Sequence, residues 1–417
     1  MRIAVVGAGV IGVTTAFALR ERGHEVTLID RRPGAALETS FANGGLLTPS
    51  MTDPWNGPGC WKTLAASIGR SDSPLQLRLR TLPSIAGWGL SYLANSSLGR
   101  FKRSSAANLK LAVYSRNLLR ALRSRVTPSF EHSSPGSLRL FRNIPSFERA
   151  WIDTERLRSS GIHVRQLTTN ETIAIEPQLV PIADDLEGSI YCEEDEVGDA
   201  HKFSKALATR FCQLGGTLLS NTQVVRIEVQ LARVSSLTTN ERPVFADQYI
   251  VCAGSYSRAL LNKVGINIPV QPAKGYSISI PVENAAPSLK VPLVDDLLHA
   301  VVVPFGREIR VAGTAEFAGF DLSLPKARLK TLANLVPLML PQLRVDMANA
   351  RPWCGLRPMS ADGVPVISAT KVSNLFINSG HGHLGWTLAT GSAQLISDIV
   401  LGTRPAIEPE AYSISRF

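Results

Sequence analysis

The sequence predicts an α/β protein (α+β overall) with a Rossmann-like domain interleaved with a second domain of mixed β-sheet plus helices. Three observations predict this fold. A strand–helix–strand pattern fills the first thirty residues, and a second α/β stretch begins near Gly188. A basic helical stretch separates these two parts, and a strand-rich stretch separates the second part from the strand–helix tail after Cys354. A chain of 417 residues therefore forms two domains that it crosses between several times.

The N-terminal unit is predicted as βαβ. The apolar run RIAVVG (2–7) indicates a buried strand, VIGVTTAFALRERG (10–23) a helix with small residues on one face, and EVTLID (25–30) a second strand.

The turn of this unit carries Gly7-x-Gly9-x-x-Gly12, and Asp30 closes the second strand. Gly7 permits a tight turn, Gly9 close approach to a pyrophosphate, and Gly12 close packing of helix on strand. The pyrophosphate is expected at the helix N-terminus, beside Val10 and Ile11, with Asp30 accepting from a ribose hydroxyl. Asp30 disfavours a 2′-phosphate whereas Arg31 and Arg32 would bind one, so the motif alone leaves FAD, NAD and NADP open.

Later elements follow from the same patterns. GSLRLFR (136–142) predicts a strand, and SFERAWIDTERLRSSG (146–161) a helix ending at Gly161. Asp199 is expected to cap the helix HKFSKALATRFCQLGG (201–216). Strands are expected around TLLSN, VVRIEV, DQYIVCAG, KGYSISIPV, HAVVVPF, EIRVAGT and NLFINSG.

Composition limits the class of protein. No apolar stretch approaches the roughly 20 residues that span a bilayer. The first residues lack a small-residue cleavage site and run straight into the glycine motif, so we expect no signal peptide, a start at Met1 and a cytoplasmic location. The five cysteines are widely spaced without a C-x-x-C pair, which predicts reduced thiols and no metal site, a thiol tethered to a cofactor being the alternative.

Positive charge is concentrated between Lys62 and Arg125, where twelve Lys and Arg accompany one acid, Asp72. Within it lies the apolar, aromatic stretch PSIAGWGLSYL (83–93). Three interpretations stay open: a solvated helical face packed on the core, a surface for an anionic membrane or a partner protein, and, least favoured, nucleic acid, for which no motif is present. A peripheral position on the inner face of the cytoplasmic membrane is therefore an open alternative.

A second glycine-rich stretch, SGHGHLGWTLATGS (379–392), predicts a helix that begins near Gly380. Its first backbone N–H groups, at Gly382, His383, Leu384 and Gly385, suit a group that develops negative charge. His381 and His383 lack a nearby third ligand, so a metal site is not expected.

Several long motifs resemble the bacterial D-amino-acid dehydrogenases of the small-subunit type, within the D-amino-acid oxidase and glycine oxidase superfamily of flavoproteins. The resemblance runs nearly end to end. It is carried by VVGAGVIGV, IDRRPGAALETSFANGG, DPWNGPG, DEVGD, GSYS, KGYSISIP, IRVAGTAEFAGF, GLRPMSADGVPVI and GHGHLGWTLATGS. Two departures, His383 in place of a usual threonine and SADG at 360–363 in place of T-P-D-G, bear on the substrate more than on the reaction.

The resemblance implies FAD as cofactor and oxidative deamination of D-amino acids, by hydride transfer from Cα–H to the flavin, with electrons passed to a quinone or other carrier. A D-proline or 4-hydroxy-D-proline dehydrogenase is one alternative. A non-catalytic dinucleotide-binding subunit docked to a membrane or partner, and a nicotinamide-dependent dehydrogenase, are others. It also implies an FAD-binding domain of residues 1–50, 188–265 and 352–417, and a substrate-binding domain of 51–187 and 266–351.

Candidate roles follow for individual residues. Arg357, in the apolar setting CGLRP, is expected to hold the substrate carboxylate through its guanidinium fork, which matches the superfamily's G-L-R-P motif. Tyr276 is expected to donate a second hydrogen bond, or else to pack in the core, and His383 to contact the substrate or its amine proton. The remaining cofactor contacts implied are Arg31, Ser40, Asn43, Gly44, Gly45, Val224, Ala253 and Gly254.

Overall fold

The structure, a computed structural model, describes residues 1–67, 75–126, 130–283 and 288–417. Arg70 and Asp72 of the basic segment lie outside these ranges. In chain order, the strands are β1 (Arg2–Val6), β2 (Glu25–Ile29), β3 (Leu46–Leu47), β4 (Leu75–Leu77), β5 (Ser137–Phe141), β6 (Val164–Leu167), β7 (Gly188–Cys192), β8 (Glu196–Val197), β9 (Thr217–Leu219), β10 (Val224–Gln230), β11 (Arg233–Thr239), β12 (Gln248–Val251), β13 (Val270–Pro281), β14 (Leu293–Asp295), β15 (Ala300–Phe305), β16 (Glu308–Phe317), β17 (Arg351–Ser360), β18 (Val366–Ala369) and β19 (Leu375–Ser379).

The helices connect these strands and cover the sheets. They are α1 (Val10–Glu21), α2 (Cys60–Ser67), α3 (Leu82–Ala94), α4 (Leu98–Val126), α5 (Ile144–Asp153), α6 (Glu155–Ser159), α7 (Thr169–Ile175), α8 (Ala200–Gln213), α9 (Ser257–Asn262), α10 (Lys326–Ala333), α11 (Leu335–Met339) and α12 (Gly385–Leu401). None of the helices in the described ranges is long and apolar enough to cross a membrane.

One sheet has six strands in the order β18-β19-β12-β1-β2-β9, and every pair is parallel except β18 with β19. Strand β1 lies inside it, buried from Ile3 to Val6, because helices cover one face and the β10–β11 hairpin packs on the other. A parallel strand buried on both faces reads as a continuous apolar run, which is why β1 is recognisable in the sequence. Helices α1, α8 and α12 share the core on the helical face.

The second large sheet has nine strands and is mostly antiparallel. Its order is β17-β13-β16-β15-β14-β5-β7-β6, and β4 pairs in parallel with β16. Strand β13 is buried along almost its whole length, with β17 on one side and β16 on the other. The two sheets together give the predicted fold, which is confirmed.

Two predictions that rest on residues close together in the sequence are confirmed. The βαβ unit forms as expected, and the Asp199 carboxylate caps α8 by accepting from the Lys202 N–H at 2.9 Å. The helix predicted to end at Gly161 is two helices that meet at Thr154, whose hydroxyl donates to the Trp151 carbonyl and competes with the helical ladder. The helix predicted to begin at Gly380 begins at Gly385 instead.

That later start has a conformational reason. Gly380 and Gly382 have φ of 79° and 57°, in the left-handed region that a right-handed helix does not use. A 3₁₀ turn over Gly382–Leu384 then leads into α12.

The predicted domain boundaries stay a prediction, and the strand pairing bears on two of them. Strands β7 and β17, which those boundaries assign to the cofactor-binding domain, are hydrogen-bonded within the nine-stranded sheet. We therefore propose that the boundaries fall after β7 and after β17.

Candidate active site

A cavity of about 1030 Å³ is lined by residues from both large sheets. It stands at the top of the range of roughly 300–1,000 Å³ that is common for small-molecule and cofactor sites. Every predicted site residue lines it except Gly12, so residues more than 300 positions apart in the chain meet in one space. The residues concerned are Gly7, Gly9, Val10, Ile11, Asp30, Arg31, Ser40, Asn43, Gly44, Gly45, Val224, Ala253, Gly254, Tyr276, Arg357, Gly382, His383, Leu384 and Gly385.

Two of the three glycines in the turn after β1, Gly7 and Gly12, have no room for a side chain. Gly7 has φ of 102°, and a Cβ there would lie 2.6 Å from the Cys252 carbonyl oxygen. A Cβ on Gly12 would lie 1.7 Å from the Gly7 carbonyl oxygen, so Gly12 allows α1 to pack against the turn rather than lining the cavity. Helix α1 has no side-chain cap, and the Val10 N–H donates to the Ser40 hydroxyl at 3.1 Å. The turn therefore presents a helix N-terminus to the cavity, as a pyrophosphate site requires.

Asp30 supports this turn from inside. Its carboxylate accepts from the backbone N–H groups of Ala8 at 2.6 Å and Arg32 at 2.8 Å, and burial raises the pKa of the carboxyl. Arg31 and Arg32 both pair with Glu38, at Nε–Oε1 distances of 2.9 and 3.1 Å. One carboxylate balances only one of these two guanidinium charges, so Asp30 and not the pairing with Glu38 is the feature that disfavours a 2′-phosphate.

Two further glycines lie side by side at the cavity, and one of them approaches a side chain closely. Gly45 has φ of 73°, and a Cβ there would lie 2.0 Å from the Phe305 ring. The Asn43 side chain accepts from the Gly45 N–H at 3.2 Å and fixes the turn. Gly44 and Gly45 thus form a flat stretch of backbone at the cavity wall.

The N-terminus of α12 forms another part of the wall. The helix has no side-chain cap and no acid in its first turn, and residues 382–387 line the cavity. The Leu384 N–H already donates to the His381 carbonyl at 3.0 Å, and the positive dipole end of the helix favours negative charge there.

Arg357 is the cation of the cavity's interior. It lies on β17 opposite Ala273, and its Nη1 donates to the Thr314 carbonyl oxygen at 3.2 Å. The guanidinium carbon lies 5.4 Å from the centre of the Trp55 ring. Burial lowers the pKa of Arg357 to about 10, so the side chain is charged at neutral pH. No carboxylate in the described part of the chain forms an ion pair with it, which leaves an anionic ligand as the natural counter-charge.

His383 lies beside this cation. Its ring stacks on Trp55, with ring centres 5.1 Å apart and planes at 21°. Burial, and then the charge of Arg357, lower the pKa of His383 to about 4, so the ring is neutral at neutral pH. His381 is turned elsewhere: its Nε2 is 2.9 Å from the Ser392 hydroxyl, and burial lowers its pKa to about 3.

The structure does not bring the Tyr276 hydroxyl to the site. It donates to the buried Glu316 carboxylate, and the ring packs in the core of the nine-stranded sheet. The expectation that Tyr276 binds a carboxylate ligand is therefore wrong, because successive residues of a strand face opposite sides and Gly275, not Tyr276, faces Arg357.

Sequence reasoning missed three residues of the site. Trp55 lies inside the DPWNGPG motif, and its neighbourhood with Arg357 and His383 depends on tertiary contacts alone. Gly275 and Thr314 owe their roles to strand pairing, for which the sequence carries no local signal.

Comparison with known proteins agrees with these features. A family model described as FAD dependent oxidoreductase (DAO) matches residues 2–399. The D-amino acid dehydrogenase of Paramagnetospirillum magneticum is 38% identical over 418 residues, covering 100% of this chain and 99% of that protein. The D-amino acid dehydrogenase of Vibrio atlanticus is 36% identical over 417 residues, covering 100% of each.

Solved structures share the fold at low identity. The glycine oxidase of Geobacillus kaustophilus superimposes with a TM-score of 0.80 at 22% identity, covering 100% of this chain and 99% of that chain. The L-proline dehydrogenase of P. horikoshii does so with a TM-score of 0.78 at 17% identity, covering 100% and 98%.

The residues of the cavity fit FAD. The Cβ-free turn, the helix N-terminus of α1 and Asp30 suit its dinucleotide half, and the flat backbone at Gly44 and Gly45 with the N-terminus of α12 suits its ring. The fit leads to a test at Gly12.

Gly12→Ala should lower the FAD content of the purified protein to about a tenth of wild type or less. The added Cβ meets backbone, not a movable side chain, and a displacement that costs about 1.4 kcal/mol of binding already gives tenfold. Visible flavin absorbance per protein measures the content. The control is Gly99→Ala, in the first turn of α4, where the new Cβ meets nothing within 4 Å. Equal FAD content in the two variants would contradict the prediction.

Proposed function

The chain belongs to the DAO family of FAD-dependent oxidoreductases, and from that premise we propose that it oxidises free D-amino acids. The reaction removes hydride from Cα and one proton from the amine, and water hydrolyses the resulting imine to a 2-oxo acid and ammonia. Full-length relatives that are named D-amino acid dehydrogenase support this substrate class. They do not favour a cyclic imino acid as the main substrate, nor a non-catalytic subunit.

The observation that carries the proposal is the charged, carboxylate-free guanidinium of Arg357 inside the cavity. A guanidinium binds the two oxygens of a carboxylate in a planar fork, and an amino acid brings such a carboxylate. With one N–H committed to the Thr314 carbonyl, the other donors of Arg357 are available to the substrate. Binding through them fixes the Cα of the substrate in the cavity.

The residues that would hold the cofactor are different from those that would bind the substrate. Gly7, Gly9 and the first turn of α1 would hold the pyrophosphate, and Asp30 the ribose. The backbone of Gly44 and Gly45 and the N-terminus of α12 would lie against the ring. When bound, FAD supplies the acceptor for the hydride that leaves Cα, and electrons pass on to a quinone or another carrier. The N-terminus of α12 would favour negative charge on a ring placed beside it.

His383 and Trp55 act by contact. A base whose pKa is about 4 takes up few protons at neutral pH, so His383 is not suited to deprotonate an ammonium. We propose that its neutral ring and the indole of Trp55 line the substrate pocket and exclude water. The exclusion of water strengthens the interaction of Arg357 with the carboxylate.

We also propose that the start of α4 contacts an anionic membrane surface, where a lipid-soluble carrier would collect electrons. Arg100, Lys102 and Arg103, at the start of α4, form no ion pair with a described residue, and neither does Arg80, which precedes α3. Apolar side chains nearby in sequence are exposed, Leu90 by 71% and Leu98 by 57%. Cations beside exposed apolar side chains are the combination that an anionic lipid surface attracts.

The experiment that tests the proposed reaction is anaerobic. D-alanine should bleach the visible absorbance of the enzyme-bound flavin, and L-alanine at the same concentration should not. D-proline and cis-4-hydroxy-D-proline in the same assay rank the cyclic substrates. Bleaching by the L-form alone, or by none of a panel of free amino acids, would reject the proposal.

Arg357→Met should raise KM for D-alanine by about 100-fold. The variant loses hydrogen bonds to a charged group, each worth about 1.5–3 kcal/mol, in a buried setting. Steady-state kinetics with a dye as electron acceptor measures this. Arg351→Met is the control, since Arg351 lies on the same strand but is exposed and paired with Glu308. A KM unchanged by Arg357→Met would remove this residue from the site.

The membrane proposal predicts binding to vesicles. The protein should co-sediment with anionic phosphatidylglycerol vesicles and not with phosphatidylcholine vesicles. Reversing Lys102 and Arg103 to Glu should weaken binding by about tenfold or more, since each cation near such a surface contributes about 1 kcal/mol. The control reverses the exposed Lys205 and Arg242 to Glu. If both pairs of reversals act alike, net charge and not this surface is responsible.

A further inference from the structure

The side chain of Arg357 crosses the neighbouring strand at a glycine. In the antiparallel pairing of β13 with β17, Ala273 lies opposite Arg357, and Gly275 lies opposite Gly355. A Cβ built on Gly275 would lie 2.3 Å from both the guanidinium carbon and Nη1 of Arg357, and 2.5 Å from Nη2. The guanidinium therefore occupies the space that any side chain at position 275 would fill.

The guanidinium ends at an irregularity in the next strand. Along β16, Ala315 pairs with Gly275 and Gly313 pairs with Tyr276, so Thr314 is an extra residue, a β-bulge. Thr314 has φ of 57°, a conformation that is strained for a β-branched residue. Its carbonyl oxygen accepts from Nη1 of Arg357 at 3.2 Å. The bulge thus supplies an acceptor on the cavity side of the sheet.

We propose that Gly275 and Thr314 are positioning residues for the substrate carboxylate. Gly275 opens a slot across β13 in which the guanidinium lies, and the bulged carbonyl of Thr314 anchors one edge of it, so that the other donors face the substrate. This inference rests on the proposed oxidation of amino acids, in which Arg357 binds the carboxylate. It adds the two residues that determine where that charge lies.

The slot explains how the Arg357 guanidinium, which has no carboxylate partner among the described residues, keeps one position. Among the described residues, Thr314 provides the hydrogen-bond acceptor of Arg357, and Trp55 provides a ring 5.4 Å away. A long side chain held at one edge has several rotamers available in a cavity of this size. Confining it between β13 and the bulge removes most of them before the substrate arrives, which is the benefit of preorganisation.

The atoms involved make the inference testable without loss of the fold. The three atoms nearest to a Cβ at position 275 all belong to the end of the Arg357 side chain, and none belongs to backbone. An alanine there should therefore push the guanidinium aside and leave the sheet intact.

The test is Gly275→Ala in the FAD-loaded enzyme, with propanoate as a carboxylate that lacks an amine to oxidise. Its dissociation constant, from the shift of the flavin spectrum, should rise about tenfold, and KM for D-alanine should rise more than kcat falls. In the Arg357→Met background the same substitution should change the propanoate constant less than about twofold. An unchanged dissociation constant for propanoate in the single variant, or an equal loss of affinity in both backgrounds, would contradict the proposed slot.

Two further results keep the inference open to rejection. If Gly275→Ala folds poorly, Gly275→Ala with Arg357→Met must fold as well as Arg357→Met alone, and failure to do so would show that the alanine meets something else. Thr314→Gly keeps the carbonyl and accepts positive φ, so propanoate binding should stay within about twofold of wild type. A tenfold loss would assign the effect to the Thr314 side chain and reject the carbonyl anchor.

The propanoate measurement also separates the two proposals. Failure of every free amino acid in the panel to bleach the flavin would reject the proposed oxidation. Binding of propanoate reports on Gly275 and Arg357 whether or not an amino acid is oxidised.

Discussion

The buried guanidinium of Arg310 links the two sheets between which the cavity lies. From β16 it donates at 3.1 Å each to the Asp199 carboxylate, to the Asn43 carbonyl and to the Ser279 hydroxyl. Asp199 caps α8 in the core of the six-stranded sheet, and Asn43 precedes the flat backbone at Gly44. A buried ion pair is tolerated only when its hydrogen bonds are satisfied, and here all three guanidinium nitrogens have an acceptor. The position of the Gly44 backbone, which would hold the cofactor, relative to the nine-stranded sheet, which carries Arg357, therefore depends on Arg310.

Arg357 shows the opposite arrangement two strands away. Arg310 is buried and Arg357 is part-buried at the cavity, but Arg310 has a carboxylate partner and Arg357 has a single carbonyl. The difference separates a structural cation from a binding one, because an unsatisfied buried charge is costly until a ligand neutralises it. The strain at Thr314 points the same way, since a β-branched residue at positive φ persists only where the surrounding structure enforces it. The unpaired charge of Arg357 and the strain at Thr314 both lower the free energy of unfolding, and they leave the site able to bind an anion.

The sequence allowed prediction of what short-range chemistry determines. Gly7, Gly12 and the Asp199 cap carry their roles in a few neighbouring residues, and the structure places them as expected. Tyr276 could not be placed in the same way. A strand has two faces, and which one meets the cavity depends on the register of β13 with β17 and β16, partners some 40 to 80 residues away. Gly275 escaped notice for the same reason. Trp55 lies in a loop and is placed by tertiary contacts, and the start of α12 is set by Gly380 and Gly382, whose positive φ turns the chain first.

Charge counting along the chain shows a related limit. The basic segment looks like one cationic surface in the sequence, yet much of it is neutralised by acids distant in the chain. Arg116 pairs with Glu194, Arg120 and Arg123 share Glu196, and Arg78 contacts Glu316 and Asp321. These pairs fasten α4 and the approach to α3 onto the body of the protein, which is the solvated, packed face that the sequence left as one alternative. Among the described residues, Arg100, Lys102 and Arg103 near the start of α4 lack such partners and are left to act on something outside the chain. Tertiary pairing thus divides one charge run into a structural part and a smaller part that is available for binding.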